Sequence, residues 1–326
     1  MNSKQLLMQH SRSFYLSLQS LPSKKRDFVG LCYLVARLAD TLSDSGRWSS
    51  SLRVKYLDLW EDRLRKSSST DWEINESLGT FTENEIELLL AGQGILENFF
   101  KFETADRDIA LDLFSTLFKG MRWFIDNFKD ANVSEPCFAV ADRQVFDWYC
   151  YSHAGCVGRF WVQIFGLPVD RENLAIEYGK ALERINILRD LVDDREQGRV
   201  LLPRSELQAY GLRTDKPWLE GDAWSKYQSD YIRETRKMLI YGTQFCDSIP
   251  FNNFKLRFSS MIPLKIGWQS LDLFEAEKEK TQTTKISRRE VGNILRESIV
   301  DLALNRRLNR RYIRRMERNE NLYPHG

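Results

Sequence analysis

Apolar residues recur along the chain at the three-to-four spacing of helices, not the alternation of strands. The clearest case runs from about Lys24 to Asp44. There Phe28, Leu31, Val35, Leu38 and Leu42 fall on one side of a helix, while Tyr33, Arg37, Asp40 and Asp44 fall on another. Pro22 closes the preceding segment of about residues 5–20, Ser23 is positioned to cap the helix, and Ser45-Gly46 ends it. The same reading predicts helices over about 51–66, 83–103, 106–129, 138–165, 171–196, 217–247, 250–276 and 287–317. Breaks are expected at Lys66–Thr80, Asn132–Pro136, Gly166-Leu167-Pro168 and Leu201-Leu202-Pro203. No strand is favoured beyond a short β-branched run. With no tandem repeat, low-complexity tract or clear linker, the pattern predicts one all-α domain over residues 1–326, with a basic helical tail over about 303–326.

Composition supports that class. The 326 residues include only 17 Gly and 8 Pro, and 42% hydrophobic with 29% charged content allows a substantial core. The net charge of +2 does not predict nucleic-acid binding, and no reader motif accompanies the basic residues, so no nucleic-acid partner is expected. Five cysteines without a C-x-x-C pair suit a reduced, cytoplasmic setting. Three histidines without a tight Cys/His cluster argue against structural zinc. Met1–Gln5 lacks the long apolar run of a signal peptide, and no stretch of 18 apolar residues predicts a membrane span. The run Asn305–Met316 is strongly basic. It reads as a solvated tail or as a peripheral contact with anionic lipid at the inner membrane face, worth about 1 kcal/mol per nearby Lys or Arg.

The chemistry is carried by two acid rows. Asn186, Asp190 and Asp194 lie at i, i+4 and i+8, so a helix presents an amide oxygen and two carboxylates on one face. Oxygen donors in such a row suit a hard divalent cation, Mg²⁺ most naturally, although acidic pairs at this spacing also serve as solvated surface. Asp40 and Asp44 repeat the pattern 150 positions earlier (190 minus 40). If the two helices faced each other, four carboxylates would repel strongly unless cations relieved them, and bound cations attract a polyphosphate. Arg37, Arg189 and Arg199 add donors matched to phosphate oxygens. Metal and arginine around a diphosphate stabilise it as a leaving group, and an aromatic-lined cavity beyond would shield a carbocation from water. No Walker or kinase signature favours phosphoryl transfer, and no Glu-x-x-His pairs favour a di-iron bundle. Between Tyr149 and Gly158 the expected helix carries small residues, with Gly155 and Gly158 each lowering helix propensity by about 1 kcal/mol. They permit close approach by another backbone or by an apolar ligand.

These residues together resemble the squalene/phytoene synthases, the head-to-head isoprenyl diphosphate synthases, over about residues 10–300. His10-Ser11-Arg12-Ser13-Phe14 resembles the family's Ser-x-Ser-Phe element, and Tyr33 to Asp44 its first aspartate motif. Tyr149 to Gly158 resembles its Tyr-Cys-x-x-x-Ala-Gly-x-Val-Gly element. Asn186 to Asp194 with Gly198-Arg199 and Leu202-Pro203 resembles the second aspartate motif and its extension, and Lys285 to Val291 the C-terminal Ser-Arg element. The resemblance implies an all-α isoprenoid synthase fold, helices around a central cavity. Asp40, Asp44, Asn186, Asp190 and Asp194 would hold Mg²⁺. Ser11, Arg12, Ser13, Tyr33, Arg37, Arg189 and Arg199 would contact diphosphates. Tyr149 would sit beside the cation and assist proton removal. Ala154, Gly155, Val157 and Gly158 would shape a prenyl channel.

The implied reaction joins two molecules of farnesyl diphosphate, or of a longer prenyl diphosphate, through a cyclopropyl intermediate. The Asp-Thr-Leu-Ser-Asp form of the first motif is similar to that of squalene synthases, which implies presqualene diphosphate reduced by NADPH to squalene. The alternatives are release of presqualene diphosphate, hydroxysqualene, dehydrosqualene, phytoene, a cyclised terpene, or a non-catalytic scaffold. Three positions depart from the family pattern. His153 stands where Val is usual, Glu183 where Gln is usual, and Val200-Leu201-Leu202 lacks an expected aromatic. His153 reads either as a packing histidine or as a polar group in the channel, and Glu183 as an added negative ligand or an arginine partner. The membrane anchor typical of eukaryotic squalene synthases is absent, which fits a bacterial-type enzyme.

Overall fold

The computed structural model describes residues 3–10, 14–45, 48–66, 72–74, 76, 78–79, 81–129, 138–213, 219–276 and 283–322. The chain divides into two compact units, residues 1–129 with 163–166, and residues 130–162 with 167–326. The expectation of an all-α fold holds in both.

The first unit contains α1 (Ser3–His10), α2 (Phe14–Gln19), α3 (Ser23–Ser43), α4 (Ser50–Arg65), α5 (Glu83–Leu90), α6 (Gly92–Phe99) and α7 (Thr104–Asn127). Helix α3 is its axis, with α1, α4, α6 and α7 packed around it. The apolar stripe anticipated for α3 is buried at Phe28, Leu31, Val35, Leu38 and Leu42. Phe99 stacks against Phe28 with ring centroids 6.2 Å apart, and the Trp60 indole N–H donates to the Val35 carbonyl at 3.2 Å. Ser23 does not cap α3. Pro22 occupies the cap at φ −56°, and Ser23 is already helical, because proline's fixed φ suits the start of a helix. The expected helix over 83–103 is broken at Ala91. Gly92 lies so close to the Trp72 ring that a Cβ there would sit 2.3 Å from the indole nitrogen.

The second unit contains β1 (Phe138–Val140), α8 (Arg143–Cys150), α9 (Cys156–Ile164), α10 (Glu172–Glu196), β2 (Arg199–Pro203), α11 (Arg204–Ala209), α12 (Gly221–Ser248), α13 (Phe254–Ala276), α14 (Arg288–Ala303) and α15 (Leu308–Leu322). The end of α9 belongs by its contacts to the first unit. Helix α10 is central, flanked by α8, α12, α13 and β2. The sequence reading misplaced one helix start. Residues 138–140 are extended and pair in parallel with β2, and α8 begins only after Asp142, whose carboxylate accepts the Val145 N–H at 3.0 Å. The cause lies in the run Val200-Leu201-Leu202, which is wholly buried and supplies a backbone edge for 138–140. The expected helix over 287–317 is likewise two helices. Asn305, at φ 44°, turns the chain between α14 and α15, a conformation asparagine tolerates better than most residues. The Ser-Arg element has a structural use here, since Ser287 and Glu290 form a reciprocal capping box at the start of α14.

Candidate active site

Each acid row stands at the C-terminal end of its helix. Asp40 is in the last turn of α3 and Asp44 is its cap, with the Asp44 N–H donating to the Asp40 carbonyl at 2.9 Å. Asp190 and Asp194 lie in the last two turns of α10. Unpaired carbonyls make that end of a helix partially negative, so carboxylates there oppose the helix dipole and cations relieve them.

In the first unit Asp40 is ion-paired with Arg37, one turn earlier. Asp40 is 41% exposed, yet enough protein surrounds it for desolvation to push its carboxyl above the usual range, with Glu85 adding to the effect and Arg37 opposing it. Sequence reasoning missed Glu85. Its only signal was the Thr82-x-x-Glu85 capping box that fixes it at the start of α5. Thr41 is buried, and its hydroxyl donates to the Arg37 carbonyl at 2.9 Å. The row on α3 is therefore Asp40 and Asp44, without the intervening hydroxyl. Tyr33, on the same helix as Arg37, donates its hydroxyl to the His10 carbonyl at 3.0 Å. Ser11, Arg12 and Ser13, expected at the diphosphates, lie outside the described residues.

In the second unit Arg189 clasps Asp190 with both ends of its guanidinium, at 2.8 and 2.5 Å. Arg199 reaches Asp194 from β2, its Nη2 at 2.8 Å from Oδ1. The small sheet thus has a local purpose, since pairing with β1 holds β2 where Arg199 returns over the end of α10. Asp194 is only 15% exposed, and desolvation raises its carboxyl above the usual range despite Arg199, with Asp190 and Asp193 adding to the rise. Asp193 itself is exposed. Asn186 donates its amide nitrogen to Glu183 Oε2 at 3.1 Å, which leaves its Oδ1 as the atom available to a cation.

Tyr149 lies in the last turn of α8, and a π-helical turn over Tyr151–Gly155 follows it. Such a turn inserts one residue into a helix and is frequent at functional sites. The His153 ring lies on the Tyr149 ring four residues earlier, centroids 4.0 Å apart and planes at 28°. The His153 Nδ1 lies 3.0 Å from the Tyr149 carbonyl, so the tautomer that satisfies this contact carries its proton there. Burial lowers the His153 pKa to about 4. Gly158 and Gly155 are used in helix packing. A Cβ on Gly158 would lie 2.0 Å from the Ala175 carbonyl oxygen, and one on Gly155 would lie 3.4 Å from the Ile176 carbonyl oxygen, both on α10. Ala154 and Val157, beside them, keep part of their surface exposed.

The donor chemistry fits Mg²⁺. Among the described residues no three His, Cys, Asp or Glu side chains gather as a closed metal cage. Mg²⁺ does not require one, since it binds through one or two carboxylates and completes its shell with water and substrate phosphate. Each row offers two carboxylates, and the row on α10 adds an amide oxygen.

Comparison with known proteins follows the same direction. A family model described as squalene/phytoene synthase matches residues 7–290. A presqualene diphosphate synthase of Zymomonas mobilis is 29% identical over 207 residues, 63% of this chain and 60% of the relative. A squalene synthase of Eremothecium gossypii is 28% identical over 208 residues, 61% of this chain and 45% of the relative. The chain thus spans less than two thirds of the length of these curated relatives. The solved structure of TcSQS with the ligand E5700 superposes with a TM-score of 0.79 at 21% identity, covering 96% of this chain and 90% of the other, a likeness of fold.

Proposed function

The chain belongs to the squalene/phytoene synthase family, and from that premise we propose that it is a Mg²⁺-dependent head-to-head prenyltransferase. It joins two farnesyl diphosphates through presqualene diphosphate and, with NADPH as hydride-donating co-substrate, forms squalene. The observation that carries this reading is the placement of two carboxylates at the C-terminal end of α3 and two at that of α10, each end also furnished with arginine. Carboxylates gathered against two helix dipoles are explained by a cationic ligand.

Asp40, Asp44, Asn186, Asp190 and Asp194 would hold Mg²⁺, which when bound neutralises the departing diphosphate. Glu183 keeps the Asn186 amide turned so that its oxygen serves as donor. Arg37, Arg189 and Arg199 hold these acids in the free protein. Once a cation shares the carboxylates, their N–H groups become available to diphosphate oxygens. Tyr149 is the proton-handling group, and the tyrosine face offers negative charge density to an allylic cation. His153 stays neutral at physiological pH, so it does not repel that cation. The squalene assignment follows the Asp-Thr-Leu-Ser-Asp form of the first motif.

A second reading is that turnover stops at presqualene diphosphate, the product named for the Zymomonas relative. Incubation with farnesyl or geranylgeranyl diphosphate, with and without NADPH, followed by mass analysis, separates the two. Squalene formed from farnesyl diphosphate only when NADPH is present is the expected outcome. A C30 diphosphate that accumulates unchanged in the presence of NADPH supports the second reading and sinks the first.

A further inference from the structure

Two chain corners of the second unit are stapled together at one end. The first joins α12 to α13, and the second joins α14 to α15. Asp247 accepts the backbone N–H groups of Leu308 and Asn309, each at 3.0 Å, and the Arg257 guanidinium at 3.1 Å. Arg257 also donates to Asn305 Oδ1 at 3.0 Å and to the Arg306 carbonyl at 3.2 Å, while Arg307 donates to the Asp247 carbonyl at 2.9 Å. Arg257 is buried and Asp247 largely enclosed, so this network fixes the corners against each other.

What the staple gathers at the surface is of one kind. Phe251 and Phe254, in the first corner, are 51% and 49% exposed. Leu304, in the second, is 59% exposed, and Val300 precedes it by one helical turn on the same face of α14, also exposed. Lys255, Arg306, Arg307 and Arg310 are exposed beside them. No acid occurs from Ile249 to Arg257, and none from Leu302 to Met316, a stretch with six arginines in a chain whose net charge is only +2. Of the neighbouring acids, Asp301 is buried and paired with Lys265, Asp247 is largely enclosed and paired with Arg257, and Glu297, exposed about one turn before Val300, is ion-paired with Arg311. Exposed aromatic and aliphatic side chains flanked by cations, with these acids held in ion pairs, match an anionic lipid surface both in charge and in the apolar layer beneath its phosphates.

We propose that this end of the second unit is a membrane-docking surface, with Phe251, Phe254 and Leu304 entering the headgroup boundary and Lys255, Arg306, Arg307 and Arg310 lying against lipid phosphates. The contact is not the basic helix alone. Phe251 and Phe254 come from a different part of the chain from the arginines, and the Asp247–Arg257 staple makes the two into one face. A lipid-bound enzyme would meet prenyl substrates where they partition and release an apolar product into the same layer.

The test is co-sedimentation of the full chain with vesicles of phosphatidylcholine alone and of phosphatidylcholine with about 30% phosphatidylglycerol, at low and high salt. Binding to the anionic vesicles only, weakened by salt, is expected. Phe251→Ser with Phe254→Ser should weaken it about tenfold, and Arg306→Glu with Arg310→Glu should weaken it and flatten its salt dependence. Circular dichroism establishes that each variant is folded. Equal binding to both vesicle types, or undiminished binding by folded variants of either pair, overturns the proposal. So does a wild-type dimer without vesicles that the phenylalanine variants abolish, since the patch would then be an interface between copies.

Discussion

The rings of Tyr149 and His153 stack with centroids 4.0 Å apart, and the histidine is the partner that cannot easily be charged. Burial lowers the His153 pKa to about 4, from an ordinary 6.5. The unfolded chain therefore binds a proton at this residue between pH 6.5 and 4 that the folded chain does not. Stability contributed by keeping His153 neutral is fully present above the unfolded pKa and is lost as pH falls towards the folded one. A difference of this size corresponds to about 3 kcal/mol at the acid end. Denaturant unfolding at a series of pH values, compared with His153→Val, should show a shallower acid slope in the variant. Equal slopes would mean that His153 titrates normally.

Glu183 is expected to position Asn186 and not to bind the cation itself. Its carboxylate accepts the Asn186 amide at 3.1 Å, an interaction that a glutamine oxygen can reproduce and an alanine cannot. Glu183→Ala should raise the Mg²⁺ concentration needed for half-maximal turnover by about tenfold, whereas Glu183→Gln should stay near wild type. A Gln variant as impaired as the Ala variant would show that the negative charge, not the hydrogen bond, is what matters.

The apolar pattern made α3 and α10 legible, because a stripe such as Phe28, Leu31, Val35, Leu38 and Leu42 has only one way to be buried. The acid rows were legible for the same reason, since helical spacing alone puts Asp190 over Asp194. The strand at 138–140 was not, because its partner edge is 61 residues away (199 minus 138) and nothing local announces it. Nor was the π-helical turn over Tyr151–Gly155, which ordinary helical periodicity does not contain. The use of Gly155 and Gly158 was undecided between packing and ligand until the nearness of α10 was visible.

Asp190→Asn removes charge while keeping shape. Asp190 is partly exposed and its present partner is the neighbouring Arg189, so the fold should tolerate the change. Turnover should fall by about a hundredfold or more, with the loss concentrated in kcat, as for a group that acts on the leaving diphosphate. A thermal melt near wild type alongside that loss is the expected pair of results. Full activity in a folded variant would remove Asp190 from the metal assignment.

The glycines provide a test of the packing itself, because the same substitution should have opposite signs at two places. At Gly158 a methyl group would lie 2.0 Å from the Ala175 carbonyl oxygen and 2.4 Å from its carbon, and both belong to backbone that cannot swing aside. Gly179 meets the reverse face of the same contact, its Cβ position 2.2 Å from the Ala154 oxygen. Gly158→Ala should therefore force α9 and α10 apart and destabilise the protein by about 3 kcal/mol. Gly292, inside α14, has nothing within 4 Å of its Cβ position. Gly292→Ala should stabilise by about 0.5–1 kcal/mol, from the backbone freedom that glycine loses in a helix. Denaturant midpoints of the two variants, measured side by side, should move in opposite directions. A Gly158→Ala midpoint that does not fall would show that α9 and α10 are not packed backbone to backbone at Gly158.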